Sequence, residues 1–220
     1  MDIVLMKNVL DRNQNKADEN RLRLSERGIL MINIISSPGA GKTSLLEKTL
    51  AHFSGILKIA VIEGDIATDR DARRLQPYNS QIIQINTEGG CHLDSHSIAK
   101  AFEHLDLDKL QLIIVENVGN LVCPAEFDLG ENHKIAVISV PEGDDKPVKY
   151  PLLFRESSAI ILNKTDLIPY TNFSLEQFRN YVRELNGSIP VMEISCTTGS
   201  GLSVWFDWIR AQIKEKGVPA

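Results

Sequence analysis

The chain has 220 residues, of which 43% are hydrophobic and 24% charged, with a formal net charge of -5. Such a length and composition predict a globular protein with one sizeable core, and the negative charge argues against partners held by bulk electrostatic attraction, such as nucleic acid or an anionic membrane. No apolar run approaches the about 18 residues of a membrane span. Three widely spaced cysteines argue against a disulfide framework. We therefore expect a soluble, cytoplasmic protein.

The first 28 residues are rich in charge and lack the apolar runs that follow. Val9, Ala17 and Leu24 recur at rough heptad spacing, which predicts an amphipathic helix. Such a helix could cover one face of the core or bind a partner, and the pattern leaves both roles open. We divide the chain into an N-terminal helical segment, 1–28, and one domain, 29–220.

From residue 29 onwards, short apolar runs rich in β-branched residues alternate with polar stretches of helical length. Continuous apolar strands are typical of a sheet that is buried on both faces. Their alternation with helices predicts an α/β fold with a doubly wound, mostly parallel, seven-stranded sheet. The predicted strands are 30–35, 58–63, 81–85, 111–116, 134–140, 158–163 and 190–195, and the predicted helices are 42–53, 68–76, 94–104, 174–186 and 201–215.

A glycine-rich loop, "SSPGAGKTS", follows the first predicted strand and opens a helix. It fits the pattern G-x-x-x-x-G-K-[ST] except that Ser36 stands in place of the first glycine. A loop of this kind aims backbone N–H groups at phosphate oxygens. Lys42 is expected to reach the β- and γ-phosphates, and the Thr43 hydroxyl to hold Mg²⁺. The predicted phosphate-binding residues are Ser37, Pro38, Gly39, Ala40, Gly41, Lys42, Thr43 and Ser44.

The sequence "NKTD", residues 163–166, directly follows the sixth predicted strand. The Asp166 carboxylate can accept hydrogen bonds from both the N1–H and the exocyclic amino group of guanine, a pair of donors that adenine does not offer. Asn163 is expected on the base edge, with the stem of Lys164 packed over the ring. After the seventh strand, "SCTTGSG" could place a backbone N–H on the guanine O6. We therefore predict GTP and GDP as ligands, with this second loop contributing Ser195, Cys196 and Thr197.

Several further motifs carry a family resemblance, namely "EGDIATDRDARR", "GGCHLD", "ENVGNLVCP" and "PEGDDKPVKYP". With the phosphate and base loops, they make the chain resemble the P-loop GTPases of the SIMIBI class, and closely the HypB family of hydrogenase-maturation GTPases that assist nickel insertion. The related urease accessory GTPase carries Cys-Pro-His where this chain has Cys-His. The resemblance runs over about residues 29–215. It implies a homodimer that delivers nickel, with a nickel metallochaperone partner, to a [NiFe]-hydrogenase large subunit.

Two strand ends supply candidate switch residues beside the phosphates. Asp65 could reach Mg²⁺ through water, and Asp71 is a second candidate on the helical turn that follows. Glu116 stands where many GTPases have the Asp of Asp-x-x-Gly and is expected to contact Mg²⁺ or its water, with the Gly119 N–H sensing the γ-phosphate. Each acid could instead be a solvated strand end or a helix cap. No glutamine occupies the usual water-positioning place, so slow intrinsic hydrolysis is expected.

The loop "GDDKPVKYP" contains two lysines close to the nucleotide end of the predicted sheet. In the resembled family, a lysine of this loop reaches the guanine of the partner subunit. The resemblance therefore assigns that role to Lys149 in preference to Lys146. A solvated loop charge is the plainer alternative.

Two cysteines and a histidine are candidate ligands of a transition metal. Cys91 and His92 follow the third strand, and Cys123 lies four residues past Gly119. Two thiolates and an imidazole suit Zn²⁺ or Ni²⁺, and a two-fold axis would complete the site between subunits. The resemblance supports this, since the family's metal-bridged dimer uses a Cys-His pair and a switch cysteine. A capped helix start and a small buried residue are the alternatives. His96, one helical turn beyond His92, could be a further ligand or a donor to one, or simply an exposed helical histidine.

Residues 1–28 contain neither cysteine nor histidine, whereas the resembled family often carries a nickel-binding segment near its N-terminus, so separate nickel storage is not expected. Three other functions remain open. The protein could be a urease-type nickel chaperone GTPase or a zinc-responsive regulatory GTP-binding dimer. A small-molecule kinase on the same fold would need an acceptor site and would leave "NKTD" without a role.

Overall fold

The computed structural model describes most of the chain. The backbone is described for residues 3–65, 74–78, 80–87 and 89–217. Side chains are described within these ranges, except those of residues 3–9 and 65. The predicted helix over 68–76 and the candidate Asp71 therefore lie largely or wholly outside the described residues.

The chain alternates strands and helices along its length. The strands are β1 (Leu30–Ser36), β2 (Ile59–Asp65), β3 (Gln81–Asn86), β4 (Leu112–Glu116), β5 (His133–Ser139), β6 (Ala159–Asn163) and β7 (Val191–Glu193). The helices of the described ranges are α1 (Ile3–Ser25), α2 (Lys42–Phe53), α3 (Ser95–Phe102), α4 (Cys123–Glu126), α5 (Lys146–Lys149), α6 (Pro151–Glu156), α7 (Leu175–Leu185) and α8 (Leu202–Glu215). Short 3₁₀ helices occur at Gln76–Tyr78, Leu107–Lys109, Val140–Glu142 and Thr165–Tyr170.

The seven strands form one sheet in the order β3-β2-β4-β1-β5-β6-β7. Every pairing between these strands is parallel; Ile32 of β1, for example, pairs with Ile114 of β4 and with His133 of β5. All residues of β1 are buried, as a central strand covered on both faces requires. The predicted α/β sheet is confirmed, and its described strands are wholly rather than mostly parallel.

Helices cover both faces of the sheet, which makes the fold doubly wound. On one face, α2 and α8 bury Phe53 and Trp205 in a common core with β1 and β4. On the other face, α1 and α3 bury Leu24 and Phe102, and farther along the sheet α6 and α7 pack around Phe154. Each helix therefore buries one apolar stripe against the sheet and exposes its polar side.

The N-terminal helix predicted from the sequence is present as α1. Ala17 and Leu24, two of the three residues on its predicted apolar side, are buried. The side chain of the third, Val9, lies outside the described residues. Among the helices that the structure describes, none is both long enough and apolar enough to cross a membrane.

Two differences from the sequence-based elements have local causes. Strand β7 ends at Glu193 rather than at residue 195, because the carbonyl of Ile194 accepts hydrogen bonds from the Thr165 N–H and hydroxyl at 3.1 and 2.9 Å. The short helices α4, α5 and α6 were not predicted. Each has a proline in its first turn, a position that favours proline.

Candidate functional site

The loop between β1 and α2 has the backbone geometry of a phosphate-binding loop. Gly39 and Gly41 have φ angles of 78° and 104°, in the left-handed region that favours glycine. A side chain at Gly41 is also excluded by space, because a Cβ there would lie 2.4 Å from the Asn163 Nδ2. The loop therefore ends on the N-terminus of α2 with its amides available for an anion.

Ser36, in the position of the missing first glycine, binds the P-loop lysine. The Lys42 Nζ donates a hydrogen bond of 2.8 Å to the Ser36 Oγ, which itself donates to the Ser37 carbonyl at 2.6 Å. Lys42 is largely buried at the floor of the loop. The serine therefore holds the ammonium group at the phosphate end of the sheet.

Thr43 and Glu116 meet at the start of α2. The Thr43 Oγ1 donates a hydrogen bond of 3.0 Å to the Glu116 Oε1, and the two residues are only 8% and 6% exposed. A hydroxyl and a carboxylate are hard oxygen ligands of the kind Mg²⁺ prefers, so the pair fits the predicted magnesium site. Asp65 ends β2, the strand next to β4, at the same carboxyl edge of the sheet, but its side chain is outside the described part.

A cleft of about 520 Å³ opens above this pair. Gly119, predicted to sense the γ-phosphate, forms one wall and packs directly on the phosphate loop, since a Cβ at this position would lie 2.9 Å from the Pro38 Cγ. Glu63 and Arg74 are two of the five lining residues that were not predicted as site residues, the others being Gly64, Asn117 and Val118. Glu63 is buried and pairs in register with Glu116. The sequence contained a signal for it, because Glu63 precedes the candidate Asp65 by two residues, the spacing expected for one face of a strand.

Asn163 joins three loops at the base end of the cleft. Its Nδ2 donates to the Ala40 carbonyl at 2.9 Å, and its Oδ1 accepts from the N–H groups of Lys164 and Cys196 at 2.8 and 3.2 Å. The side chain is only 1% exposed. Asn163 thus fixes the base loops against the phosphate loop, and its contact with the base edge stays a prediction.

Lys164 and Asp166 lie where the base of a nucleotide would be expected. Lys164 has a φ of 60°, the left-handed region that a bulky residue rarely adopts, and its Nζ donates to the Gly39 carbonyl at 2.7 Å. The Asp166 Oδ1 is buried without a hydrogen-bond partner among the described residues. A buried carboxylate oxygen of this kind calls for a donor from a ligand or water.

The loop after β7 completes the base end. Ser195 is buried, and its N–H donates to the Ser200 carbonyl at 2.9 Å. Cys196 is also buried, and burial raises the pKa of its thiol to about 11. Thr197 is exposed. The Cys196 N–H, a candidate for the guanine O6, is bonded to the Asn163 Oδ1 in this structure.

Lys149 lies on α5 and forms an exposed ion pair of 2.5 Å with Asp145. The hydrogen bond that Lys149 donates to the Asp145 carboxylate raises the pKa of Lys149. Lys146 lies over the ring of Tyr150, with its Nζ 5.5 Å from the ring centre. The chain by itself thus leaves the predicted contact of Lys149 with a partner's guanine untested.

The structure brings Cys91, His92 and Cys123 together. One ligand atom from each lies within 4.8 Å of the others, and the Cys91 Sγ is 3.5 Å from the His92 Nδ1. The hydrogen bond with Cys123 raises the pKa of Cys91, whereas burial lowers the pKa of His92 and so favours its neutral imidazole. Two sulfur donors and a neutral imidazole fit Zn²⁺ or Ni²⁺. His96 is exposed and is not in this group.

Contacts between the two ligand-bearing segments surround this cluster. The ring of His92 lies 3.9 Å from the ring of Phe127, and the Asn120 Nδ2 donates to the Cys91 carbonyl at 3.3 Å. Asp94 caps α3 by accepting the Ser97 N–H at 2.7 Å. A capped helix start, the plainer interpretation of "GGCHLD", therefore coexists with the cluster.

The parallel sheet and its phosphate loop define a P-loop nucleotide-binding protein. The family model described as "CobW/HypB/UreG, nucleotide-binding domain" matches residues 30–193, and the hydrogenase maturation factor HypB of Escherichia coli is 49% identical over 204 residues, covering 93% of this chain and 70% of that protein. The chain belongs to the CobW/HypB/UreG family and, within it, to the HypB hydrogenase maturation factors.

Two solved structures are similar over nearly the whole chain. HypB from Helicobacter pylori, solved in complex with nickel, has a TM-score of 0.88 at 37% identity, covering 95% of this chain and 98% of that one. HypB from Archaeoglobus fulgidus has a TM-score of 0.87 at 34% identity, covering 93% and 100%. The likeness thus extends beyond the matched domain to the N-terminal helix region.

Proposed function

We propose that the protein is a metal-binding GTPase that uses GTP binding and hydrolysis to control nickel delivery in [NiFe]-hydrogenase maturation. The observation that carries this proposal is the short segment between the two sites. Glu116 meets Thr43 in the cleft, Gly119 packs on the phosphate loop, and Cys123 lies with Cys91 and His92. One eight-residue stretch therefore touches both the nucleotide cleft and the metal cluster.

The phosphate end of the cleft supplies positioning and charge. Lys42 would move from Ser36 to the β- and γ-phosphates, and the amides of Gly41 and its neighbours would bind the remaining oxygens. Thr43 and Glu116 would hold Mg²⁺, which when bound neutralises charge on the phosphates. Because hydrolysis by this arrangement depends on positioning and electrostatics, and no water-positioning glutamine is present, the intrinsic rate is slow.

At the other end of the cleft, Asp166 selects guanine. Its buried Oδ1 lacks a partner among the described residues, and the N1–H and amino group of guanine are the donors it would take. Lys164 is fixed beside it by its bond to Gly39. Such pairing disfavours adenine, whose N1 is an acceptor and would leave the carboxylate unsatisfied.

Loss of the γ-phosphate would release Gly119 from the cleft and move the segment that carries Cys123. The three donors would then no longer converge, and the affinity for the metal would change. In this scheme Ni²⁺ is the cargo and Zn²⁺ a competitor for the same soft donors. The nickel in the similar Helicobacter pylori structure supports this assignment.

The proposal includes a homodimer in which each subunit contributes Cys91, His92 and Cys123 to a shared site, because three donors leave the coordination of one ion incomplete. Lys149 would reach the partner's nucleotide and make dimerisation depend on GTP. A nickel metallochaperone and the hydrogenase large subunit would be the partners, in the cytoplasm. The name of the Escherichia coli relative supports the hydrogenase as the destination.

Hydrolysis and assembly measured together test the proposal. GTP and ATP turnover are compared with Mg²⁺, with and without Ni²⁺ or Zn²⁺, while sedimentation reports the mass with GDP or a non-hydrolysable GTP analogue. We expect the protein to hydrolyse GTP but not ATP. We also expect a dimer whose formation depends on both nucleotide and nickel. A dimer that responds to Zn²⁺ without nucleotide would favour the zinc-responsive regulator. ATP turnover equal to GTP turnover would contradict the assignment.

A further inference from the structure

The N-terminal helix α1 is packed against both segments that carry the metal ligands. On one side it contacts Ser95, the first residue of α3 and three residues beyond His92. On the other side it contacts Asp128 and Leu129, which follow α4 and Cys123. The two segments that supply the metal cluster are therefore both in contact with the same helix.

Two buried asparagines make these contacts, and each bridges both segments. The Asn20 Nδ2 donates to the Ser95 carbonyl at 2.8 Å and to the Leu129 carbonyl at 3.0 Å. The Asn13 Oδ1 accepts from the Ser95 N–H at 2.9 Å, and its Nδ2 donates to the Asp128 carbonyl at 2.7 Å. Both side chains are at least nine-tenths buried.

Packing around the asparagines leaves little freedom for the loop to shift. Gly130 has a φ of 93°, and a Cβ there would lie 2.5 Å from the Ala17 carbonyl oxygen. At the surface, Arg21 forms an ion pair with Asp128. Because a buried amide that loses its hydrogen-bond partner incurs its full desolvation cost, a displacement of either segment relative to α1 is penalised.

We propose that Asn13 and Asn20 are positioning residues for the metal site, through which α1 sets the separation of the Cys91–His92 pair from Cys123. The inference rests on the proposed metal function but assigns a new role to residues that bind no metal themselves. It also gives α1 a purpose beyond covering the core. Without the two bridges, the ligand segments would keep their own folds but lose their mutual register.

The test measures Ni²⁺ affinity of the full chain by titration, with the thiolate-to-nickel charge-transfer absorption as a second readout. Asn20→Ala should weaken binding by about 10-fold or more, the usual effect of losing a group that orients metal ligands, and should reduce the charge-transfer band at saturation. GDP affinity should stay unchanged, because the phosphate and base loops lie apart from α1.

A matched control separates positioning from a general loss of stability. Thr49→Val removes the Thr49 hydroxyl, which accepts a hydrogen bond of 2.9 Å from the Trp205 indole N–H. Both residues lie on the face of the sheet opposite α1, so this variant should lower stability without changing nickel affinity. Arg21→Ala removes the surface bridge to Asp128 and an ion pair with Asp18 on the same helix, and it is expected to fold, with a smaller loss of affinity. It decides the question if Asn20→Ala does not fold.

The outcomes also separate this inference from the metal assignment. Wild-type nickel affinity in Asn20→Ala overturns the positioning role. If Asn20→Ala does not fold, wild-type nickel affinity in Arg21→Ala overturns it instead. An equal loss in Thr49→Val overturns it as well. If Cys91→Ala binds nickel as tightly as the wild type, the proposed metal site itself fails. Loss in Cys91→Ala together with unchanged affinity in Asn20→Ala rejects only the role of α1.

Discussion

The hydroxyl of Thr43 donates a hydrogen bond of 3.0 Å to the carboxylate of Glu116, across the floor of the nucleotide cleft. Thr43 is the second residue of α2, and Glu116 is the last residue of β4. A buried hydroxyl and a buried carboxylate in contact are suitable ligands for one small divalent cation. The bond therefore joins the phosphate loop to the segment that leads to Cys123.

Glu116→Gln should keep the hydrogen bond to Thr43 while removing the negative charge. We expect GTP hydrolysis to fall by about 100-fold, the scale of losing one preorganised electrostatic contact, and the Mg²⁺ concentration needed for half-maximal turnover to rise. Turnover at a series of Mg²⁺ concentrations measures both. An unchanged Mg²⁺ dependence would remove Glu116 from the magnesium site.

Lys42→Ala should abolish measurable hydrolysis because it removes the cation that we propose binds the β- and γ-phosphates. Lys48→Ala, an exposed lysine on the same helix, is the matched control and should behave like the wild type. Nickel affinity should be the same in both variants, since neither residue is in the cluster. Turnover at the wild-type rate in Lys42→Ala would overturn the phosphate-loop assignment despite the match at Gly41.

Asp166→Asn should exchange guanine selectivity for a preference towards xanthine nucleotides, because an amide offers a donor where the carboxylate offers only acceptors. Discrimination by a buried hydrogen-bonding site can reach about 10⁴-fold. Binding of GDP and xanthosine diphosphate measures the exchange, with Asp207→Asn on the exposed side of α8 as control. Retention of wild-type GDP affinity would show that Asp166 does not read the base.

Cys91→Ala and Cys123→Ala should each lower nickel affinity and nickel-dependent dimerisation, while GDP affinity stays near that of the wild type. Cys123→Ala should in addition uncouple metal release from nucleotide state, because Cys123 follows Gly119 on the switch segment. Cys196→Ala is the matched control, since its thiol is buried away from the cluster, with its pKa raised to about 11. One metal per monomer without any change in mass would contradict a shared site.

Asp128→Asn should lower the free energy of unfolding at neutral pH by about 1 kcal/mol or less, as expected for a partly exposed ion pair. Burial would raise the pKa of Asp128, but hydrogen bonds with the Gly130 N–H, Glu131 and Arg21 outweigh burial and lower it. The stabilisation is therefore present above the ordinary pKa of aspartate and is lost as the pH falls through the lowered value. Denaturant unfolding at neutral and acidic pH should show the two proteins converging in acid; a constant difference would reject this linkage.

Short-range patterns in the sequence were enough to predict the sheet and most of the candidate site. The apolar runs placed all seven strands to within about two residues, because strands buried on both faces need continuous apolar side chains. The phosphate loop was identifiable because its glycines, lysine and threonine lie close together in the sequence. "NKTD" and Cys-His were identifiable for the same reason, since in each motif the side chains suited to binding a ligand are adjacent in the sequence.

Only the tertiary structure decided which of these groups meet. Asn163 bonds Ala40 across 123 positions of the chain, Asn20 bonds Ser95 across 75, and Glu63 enters the cleft beside Glu116 because β2 and β4 are neighbours in the sheet. Local propensity contains no information about strand order, and a polar residue in a helix looks alike whether it faces solvent or bridges two loops. The sequence by itself therefore determined the chemistry that is available, while the packing of the sheet and of α1 determined where that chemistry converges.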